Sequence, residues 1–439
     1  MNSALQRPLS FKLAAIAAAF LATLAVFALL ARGENPSAPV ARDVAPLPPS
    51  ASTDQVIAGY QRLARAQPGD AANFAGLAGA YLQKVRETGD PGFYVRAEAA
   101  LHRGERTDGS NYKVLAGLGT LALARHDFRG GLRDGLAARR ANPASNLSFP
   151  VIVDALVELG RYDEAGRELQ AFVDRKPALA SYARASYFRE LHGDLAGAEQ
   201  AMRLAVSAGS AAGGENVAYV QTLLGNLEFD RGRVASAGRA YGTALRSFPG
   251  YAAAQAGLAR VEAARGATGP AIRRYRRLVT RLPLPEHVIA LGELELAAGR
   301  SAAGRRDLAL VGAEERLLRA GGVNTDVELA VFEANHGSPH RAVGLARRAW
   351  AQAPSVRSAD AVGWALTRAG RPREGLPWAR RALRLGSADP GFLYHAGIAA
   401  REAGDRLGAR RWLTASLARN PHWSPYHAPK ARRALEGLR

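Results

Sequence analysis

The sequence predicts an all-α solenoid built from helical hairpins. A glycine recurs about every 34 residues, each time after an apolar stretch with helical spacing. A small residue follows each glycine five positions later, and a proline often closes the unit. No alternation of period two is long enough to indicate a sheet. The recurring glycines are Gly160, Gly193, Gly232, Gly266, Gly299, Gly337, Gly370 and Gly404, and the small residues are Ala165, Ala198, Ala237, Ala271, Gly304, Ala342, Gly375 and Ala409.

Each part of this pattern has a physical cause. Glycine accepts a positive φ, so Gly160 can end the first helix of a pair. A small residue such as Ala165 lets two helices approach closely, and Pro177 cannot continue the second helix. With the large residues Leu169 and Phe172 in register on the second helix, this stretch resembles the tetratricopeptide repeat.

The resemblance implies a superhelical solenoid of about ten helix-turn-helix repeats over residues 54–429, with a capping helix over 430–439. The repeats begin near Ala71, Tyr112, Asn146, Leu179, Ala218, Ala252, Pro285, Val323, Val356 and Pro390. Departures from the pattern occur at an insertion over 85–94 and at a small-residue spacer over 208–214. The second helix of the seventh repeat is predicted to run on through 314–318 and to break at Gly321–Gly322.

The N-terminus predicts export. Arg7 and Lys12 precede an uncharged run over 13–31, which is long enough to span a bilayer core. We therefore interpret 1–32 as a signal or transmembrane anchor and favour an uncleaved anchor, because no suitable cleavage site follows. Secretion after signal cleavage is the alternative. Residues 33–53 contain five prolines and are predicted to form an extracytoplasmic linker that places the repeats outside the cell.

The chain carries a formal net charge of +20, mostly from arginine. Arginine pairs recur on predicted second helices, whose surface is convex in the tetratricopeptide pattern. This surface could simply be solvated, or it could bind an anionic lipid surface or envelope polymer. An external location, and the lack of aromatic residues between the pairs, disfavour nucleic acid. The pairs are Arg273–Arg274, Arg276–Arg277, Arg305–Arg306, Arg347–Arg348, Arg380–Arg381 and Arg410–Arg411.

The sequence offers no support for catalysis. Its nine histidines are scattered, it contains no cysteine, and the common phosphate-binding, hydrolase and metalloprotease motifs are missing from it. Most of its length is taken up by repeats, which leaves no room for an additional catalytic domain. We therefore predict a protein that is not an enzyme and that has no cofactor and no metal site.

The remaining function is recognition. In tetratricopeptide proteins the first helices line a concave groove, and the aromatic residues at the matching positions suit a peptide or protein ligand. These positions carry no set of lysine, asparagine and arginine that would grip a terminal carboxylate. The predicted peptide groove contains Asp154, Tyr187, Glu190, Tyr219, Asn226, Phe229, Arg260, Trp364 and Tyr394, with Glu158, Glu293, Asp360 and Arg401 in the same register.

These observations predict a non-catalytic scaffold of the bacterial cell envelope that binds protein or peptide partners in its concave groove. The alternative is an adhesive module that holds an anionic lipid or envelope polymer on its convex, arginine-rich face. The two hypotheses differ in their expected dependence on salt, because displacement of counterions makes polymer binding strongly salt-dependent.

Overall fold

The computed structural model describes residues 52–209 and 214–438. Within these ranges the chain forms helices and short connections, with no strand. The predicted anchor over 1–32 and nearly all of the predicted linker over 33–53 lie outside the described residues, as does most of the spacer. None of the described helices is both long enough and apolar enough to cross a membrane.

Successive helices pack as antiparallel pairs along the chain. The first part contains a leading helix and five pairs. The leading helix is α1 (Thr53–Ala66), and the pairs are α2 (Ala71–Thr88) with α3 (Gly92–Thr107), α4 (Tyr112–Ala124) with α5 (Phe128–Ala141), α6 (Ser148–Glu158) with α7 (Tyr162–Arg175), α8 (Leu179–Leu191) with α9 (Leu195–Gly209), and α10 (Gly214–Asp230) with α11 (Val234–Ser247).

The second part continues in the same way, with one pair extended by an additional helix. Its helices are α12 (Ala252–Ala264) with α13 (Thr268–Arg281), α14 (Pro285–Ala297) with α15 (Ser301–Leu308) and α16 (Val311–Ala320), α17 (Asp326–His336) with α18 (Pro339–Gln352), α19 (Val356–Arg368) with α20 (Pro372–Ala382), α21 (Pro390–Ala403) with α22 (Arg406–Arg419), and the trailing helix α23 (Ala428–Glu436).

Two kinds of small residue define each hairpin. Most of the recurring glycines have a positive φ, such as 70° at Gly160, and end the first helix as predicted. The residue five positions later lies at the helix crossing: Ala165 is fully buried, and a Cβ on Gly304 would lie 2.8 Å from the carbonyl oxygen of Gly292 on the facing helix. A larger side chain at either crossing would separate the pair.

Two turns depart from the glycine rule. Gly337 has a φ of −122°, so its helix ends without a left-handed residue. The second repeat has no glycine at this position, and His126 takes the left-handed conformation with a φ of 61°. Its Nδ1 donates a hydrogen bond of 2.6 Å to the carbonyl oxygen of Asn324, which holds this less favourable conformation in place.

The prediction of one long second helix in the seventh repeat is wrong. The segment divides into α15 and α16, with Ala309 and Leu310 between them. Leu310 donates its backbone hydrogen bond to Asp307, three residues back, which tightens the chain and ends the regular α-helical pattern. The predicted break follows at Gly322, whose φ is 82°.

The superhelix returns on itself, so that repeats far apart in sequence are in contact. The backbone NH of Val356 donates to the hydroxyl of Tyr162 at 2.9 Å, and Asn420 Nδ2 donates to the carbonyl oxygen of Phe229 at 2.6 Å. These contacts join residues 194 and 191 positions apart, and the His126–Asn324 contact joins residues 198 positions apart. One superhelical turn therefore takes between five and six repeats of about 34 residues.

The glycine turns of the first superhelical turn lie directly against the second. The Cα of Gly160 faces the carbonyl oxygen of Pro354, and Gly193 faces that of Gly386, so closely that neither has space for a Cβ. Gly299 also has a positive φ, of 75°, but no atom within 4 Å of the position its Cβ would occupy. Gly299 therefore needs to be glycine only for its positive φ, whereas Gly160 and Gly193 are also required for the contact between superhelical turns.

This difference gives a test of the contact between turns. Gly299→Ala should cost about 1 kcal/mol, because alanine is strained at positive φ. Gly160→Ala carries the same strain and must also push the two superhelical turns apart, so we expect a clearly larger loss. Urea denaturation followed by circular dichroism measures both; equal midpoints for the two variants would contradict the packing described here.

Candidate functional site

The concave surface of the first superhelical turn encloses a cavity of about 850 Å³, which we call the central cavity. Its wall is formed mainly by the first helices α4, α6, α8, α10 and α12. Arg357, at the start of α19 in the second superhelical turn, contributes a further part of the wall. Consecutive first helices thus form most of the cavity wall, and the contact between superhelical turns adds Arg357 to it.

Six of the nine residues predicted for the peptide groove line the central cavity. Tyr187 and Tyr219 come from the adjacent first helices α8 and α10 and keep 38% and 40% of their surface accessible to water. Exposed tyrosines of this kind offer both an apolar face and a hydroxyl to a ligand. The six residues are Asp154, Tyr187, Glu190, Tyr219, Asn226 and Arg260.

Most charges in the cavity are paired across neighbouring repeats. Arg184 binds Asp154 through two hydrogen bonds of 2.8 and 2.6 Å. Arg260 donates to Asp230 at 3.0 Å, and the two pairs have the same sequence separation of 30 residues. The forked contact between Arg184 and Asp154 fixes the orientation of both side chains. The tyrosines therefore stand in a rigid, polar surround.

Two carboxylates in the cavity lack such a partner. The carboxylate of Glu190 forms no hydrogen bond or ion pair with any described residue. Its desolvation, reinforced by Asp230 and Asp389, raises its pKa to about 8. Burial also raises the pKa of Glu158, although Arg357 opposes this effect. Asp389 lies beside Glu190 in a recess next to the central cavity, where desolvation by the surrounding protein and the charge of Asp230 raise its pKa to about 6 although the residue keeps exposed surface.

The other three predicted groove residues do not face the central cavity. Phe229 is 1% exposed, with the guanidinium of Arg260 4.2 Å above its ring. Trp364 and Tyr394 lie in a separate recess beside α23. The expected continuous groove is therefore divided into at least two separate spaces.

The division arises because the loop over 420–427 packs against the concave face of α10, α12 and α14. His427 and His336 both donate through Nε2 to Oε1 of Glu293, at 3.2 and 2.9 Å. Burial opposes the charge of Glu293, but these hydrogen bonds outweigh it and lower the pKa to about 2. The ionised carboxylate thereby holds this loop in place.

Sequence reasoning missed several residues of the cavity wall. Arg184 carried a signal that could have been found, because an acid and an arginine 30 residues apart recur at Asp230 and Arg260. Arg357 and His126 carried none, since their position depends on the pitch of the superhelix. Among the described residues, no cluster of three histidines, aspartates or glutamates is arranged to hold a metal ion.

Comparison with known proteins identifies structural neighbours only. No protein-family model matches the chain, and no curated protein shows significant similarity to its sequence. The structure is similar to TTC0263, a thermophilic TPR protein of Thermus thermophilus, at 20% identity, covering 37% of this chain and 91% of that one with a TM-score of 0.34.

Two further neighbours are helical-repeat structures. The human IFIT1 dimer with m7Gppp-AAAA is 16% identical, covers 76% of each chain and has a TM-score of 0.48. The MamA protein is 17% identical, covers 39% of this chain and 92% of that one, and has a TM-score of 0.30. At these identities the likeness concerns the fold alone. With its paired helices and glycine turns, the described part of the chain is an all-α, tetratricopeptide-type solenoid, as its sequence predicted.

The environment of Glu190 predicts a pH dependence of stability. A carboxyl whose pKa rises from 4.5 to about 8 on folding binds its proton more tightly in the folded state, so stability falls as the pH rises through this window. Glu190→Gln should melt near the wild-type temperature at pH 5 and above it at pH 9. Calorimetric melting scans at both pH values measure this effect.

The matched control is Glu436→Gln on the exposed face of α23. For this control, the difference in melting temperature between variant and wild type should be the same at both pH values. A Glu190→Gln variant that behaves in the same way would contradict the buried, unpaired state of Glu190.

Proposed function

We propose that this protein is a non-catalytic scaffold that binds a segment of a partner protein in its central cavity. The proposal is supported most directly by Tyr187 and Tyr219, two accessible aromatic side chains on adjacent first helices inside one concave space. Rigid aromatic groups give large contact areas at low entropic cost, and such residues dominate the binding energy of many protein interfaces.

The polar groups of the cavity would supply specificity for that segment. The paired Arg184–Asp154 and Arg260–Asp230 contacts leave the remaining acceptor positions of these carboxylates open to backbone or side-chain donors. A volume of about 850 Å³ accommodates a few residues of an extended chain. The occupant is accordingly a short segment of the partner.

Binding of an anionic lipid or polymer on the convex face has less support, because many of the paired arginines are already engaged. Arg274 contacts Glu262 at 2.6 Å, and Arg348 contacts Asp326 at 3.1 Å. Arg381 lies over the ring of Trp378 at 5.2 Å. Side chains held by such contacts cannot turn freely toward an external anion.

We also propose that residues 13–31 anchor the chain in a bacterial membrane, with the repeats outside the cytoplasm. The support is the sequence pattern of Arg7 and Lys12 before an uncharged run. An alkaline phosphatase domain fused after Arg439 should be active in cells, because this enzyme matures only outside the cytoplasm. Activity only in a cytoplasmic reporter fused at the same position would reject this location.

The central cavity can be tested by crosslinking in cells. Photoreactive benzoylphenylalanine incorporated at Tyr187 or Tyr219 of the full chain should form an adduct with the same partner polypeptide at both sites. The control position is Tyr112, which lies outside the cavity. The combined variant Tyr187→Ala and Tyr219→Ala should lose at least about tenfold in affinity for that partner, with weak salt dependence.

The opposite pattern would overturn the cavity proposal. Adducts that form equally at Tyr112, or a partner that is released steeply by salt and ignores the tyrosine substitutions, would place binding on the charged outer surface.

A further inference from the structure

A second recess lies at the C-terminal end of the concave surface, and we call it the C-terminal recess. It has a volume of about 280 Å³ and is walled by α17, α19, α21 and α23. No residue lines both this recess and the central cavity. The two spaces can therefore bind different groups and be tested separately.

The side chains around the C-terminal recess are predominantly basic. Four carry a positive charge, Arg368, Arg401, Lys430 and Arg433, whereas Glu402 is the one carboxylate in the lining. The central cavity instead mixes arginines with at least as many carboxylates. The local excess of positive charge is thus a property of this recess and is not shared by the whole concave surface.

These basic groups are largely uncompensated within the described chain. Arg433 forms no side-chain hydrogen bond or ion pair there, and Lys430 contacts only the ring of Tyr426, at 3.4 Å from its centroid. Arg401 approaches Glu402 no closer than 3.9 Å. Arg368 is the exception, because its Nε donates to the carbonyl oxygen of Ala334 at 3.2 Å. Most other arginines on the concave surface are held by close carboxylates, whereas Arg401 and Arg433 keep their donors free for a ligand.

Tyr394 adds a neutral donor to the basic groups. Its side chain is 4% exposed and lines the recess, yet its hydroxyl has no hydrogen-bond partner among the described residues. Burial raises its pKa to about 12, with Arg368 and Arg401 close enough to oppose the shift. The hydroxyl keeps some accessible surface although the rest of the residue is buried, so it is open to an acceptor on a bound ligand.

The aromatic rings of the recess do not offer a stacking surface. His395 stacks on Trp364 with ring centroids 4.2 Å apart, and Arg368 lies 5.5 Å from the same ring. Tyr394 is surrounded by Trp364, His395, Trp423 and His427. The recess therefore recognises its ligand by charge and hydrogen bonds, which is the chemistry of an oxyanion and not of a planar ring.

We propose that the C-terminal recess binds an oxyanion, a carboxylate or phosphate group, between Arg401, Arg433 and the hydroxyl of Tyr394. Arg401 and Arg433 supply charge and several N–H donors, and Tyr394 supplies an O–H donor. Lys430, which also lines the recess, adds a third positive charge. This assignment does not depend on the proposed function of the central cavity.

Isothermal titration of the full chain with two probes at low salt tests the assignment. The first probe is inorganic phosphate, and the second is the peptide acetyl-Glu-Asp-Glu-Asp-amide, compared with acetyl-Gln-Asn-Gln-Asn-amide. We expect Tyr394→Phe to weaken binding about 3- to 10-fold, and the combined variant Arg401→Gln and Arg433→Gln to weaken it by at least about tenfold. The uncharged peptide should not bind.

The matched control combines Arg277→Gln with Arg305→Gln, which removes the same net charge from the chain. Both arginines lie on second helices and form no ion pair with a described residue. Binding of both anionic probes, each weakened by the recess variants only, assigns a general oxyanion site. Binding of the acidic peptide alone, with the same variant pattern, assigns a site for protein carboxylates.

Two results would overturn the assignment. One is binding of neither probe at about 10 mM. The other is an equal loss in the control and recess variants, since this would show that the whole positive charge of the chain attracts the probes. Tyr394→Phe removes a single oxygen atom, so the melting temperature of this variant should stay near that of the wild type. Its binding result can therefore be interpreted even if the arginine variants misfold.

Discussion

The structure depends on how closely its helices can approach at their crossing points. Ala165 is fully buried in the third repeat, and Gly292 and Gly304 face each other in the seventh, so little more than backbone separates the paired helices there. A small residue recurs at the same position in the other hairpins from the third repeat onward. A repeated separation and crossing angle generate a constant curvature. The curvature is strong enough for the chain to meet itself after one superhelical turn, where Gly160 and Gly193 are pressed against the backbone of the second turn. The central cavity lies on the inner side of this curvature, within the first superhelical turn.

Much of the fold could be predicted from the sequence, because hairpin geometry is set locally. The glycine turns and the small residues at the crossings lie within one repeat, so their periodicity reveals them directly. The break within the seventh repeat could not be predicted in the same way. It occurs where Leu310 donates to Asp307, three residues back, and neither Ala309 nor Leu310 is a helix-breaking residue. The left-handed turn at His126 could not be predicted from local sequence either, because it is stabilised by a contact with the distant residue Asn324.

The site was harder to predict than the fold for the same physical reason. Positions on first helices correctly placed Tyr187 and Tyr219 on a concave surface, because this depends only on the register within a repeat. Which part of that surface stays open depends on the superhelical pitch, and the pitch sums small rotations over many repeats. The loop over 420–427 therefore covers Phe229 and separates Tyr394 from the central cavity, with no local signal in either segment. The charged side chains follow the same division. Most of those in the central cavity form ion pairs, whereas the C-terminal recess has an excess of positive charge.

Contact between successive superhelical turns also changes the order in which the molecule can form. An ordinary repeat array is almost one-dimensional, since each unit touches only its neighbours. Here Tyr162 finds a partner 194 residues further along, so the first half of the chain leaves the ribosome well before the surface it rests on has been synthesised. Until then, the glycine turns that contact the second superhelical turn stay exposed to solvent. Bridges over such long stretches of sequence slow folding. They also join the second repeat to the eighth and the C-terminal loop to the middle of the array, so these parts open less readily than they would in a linear array.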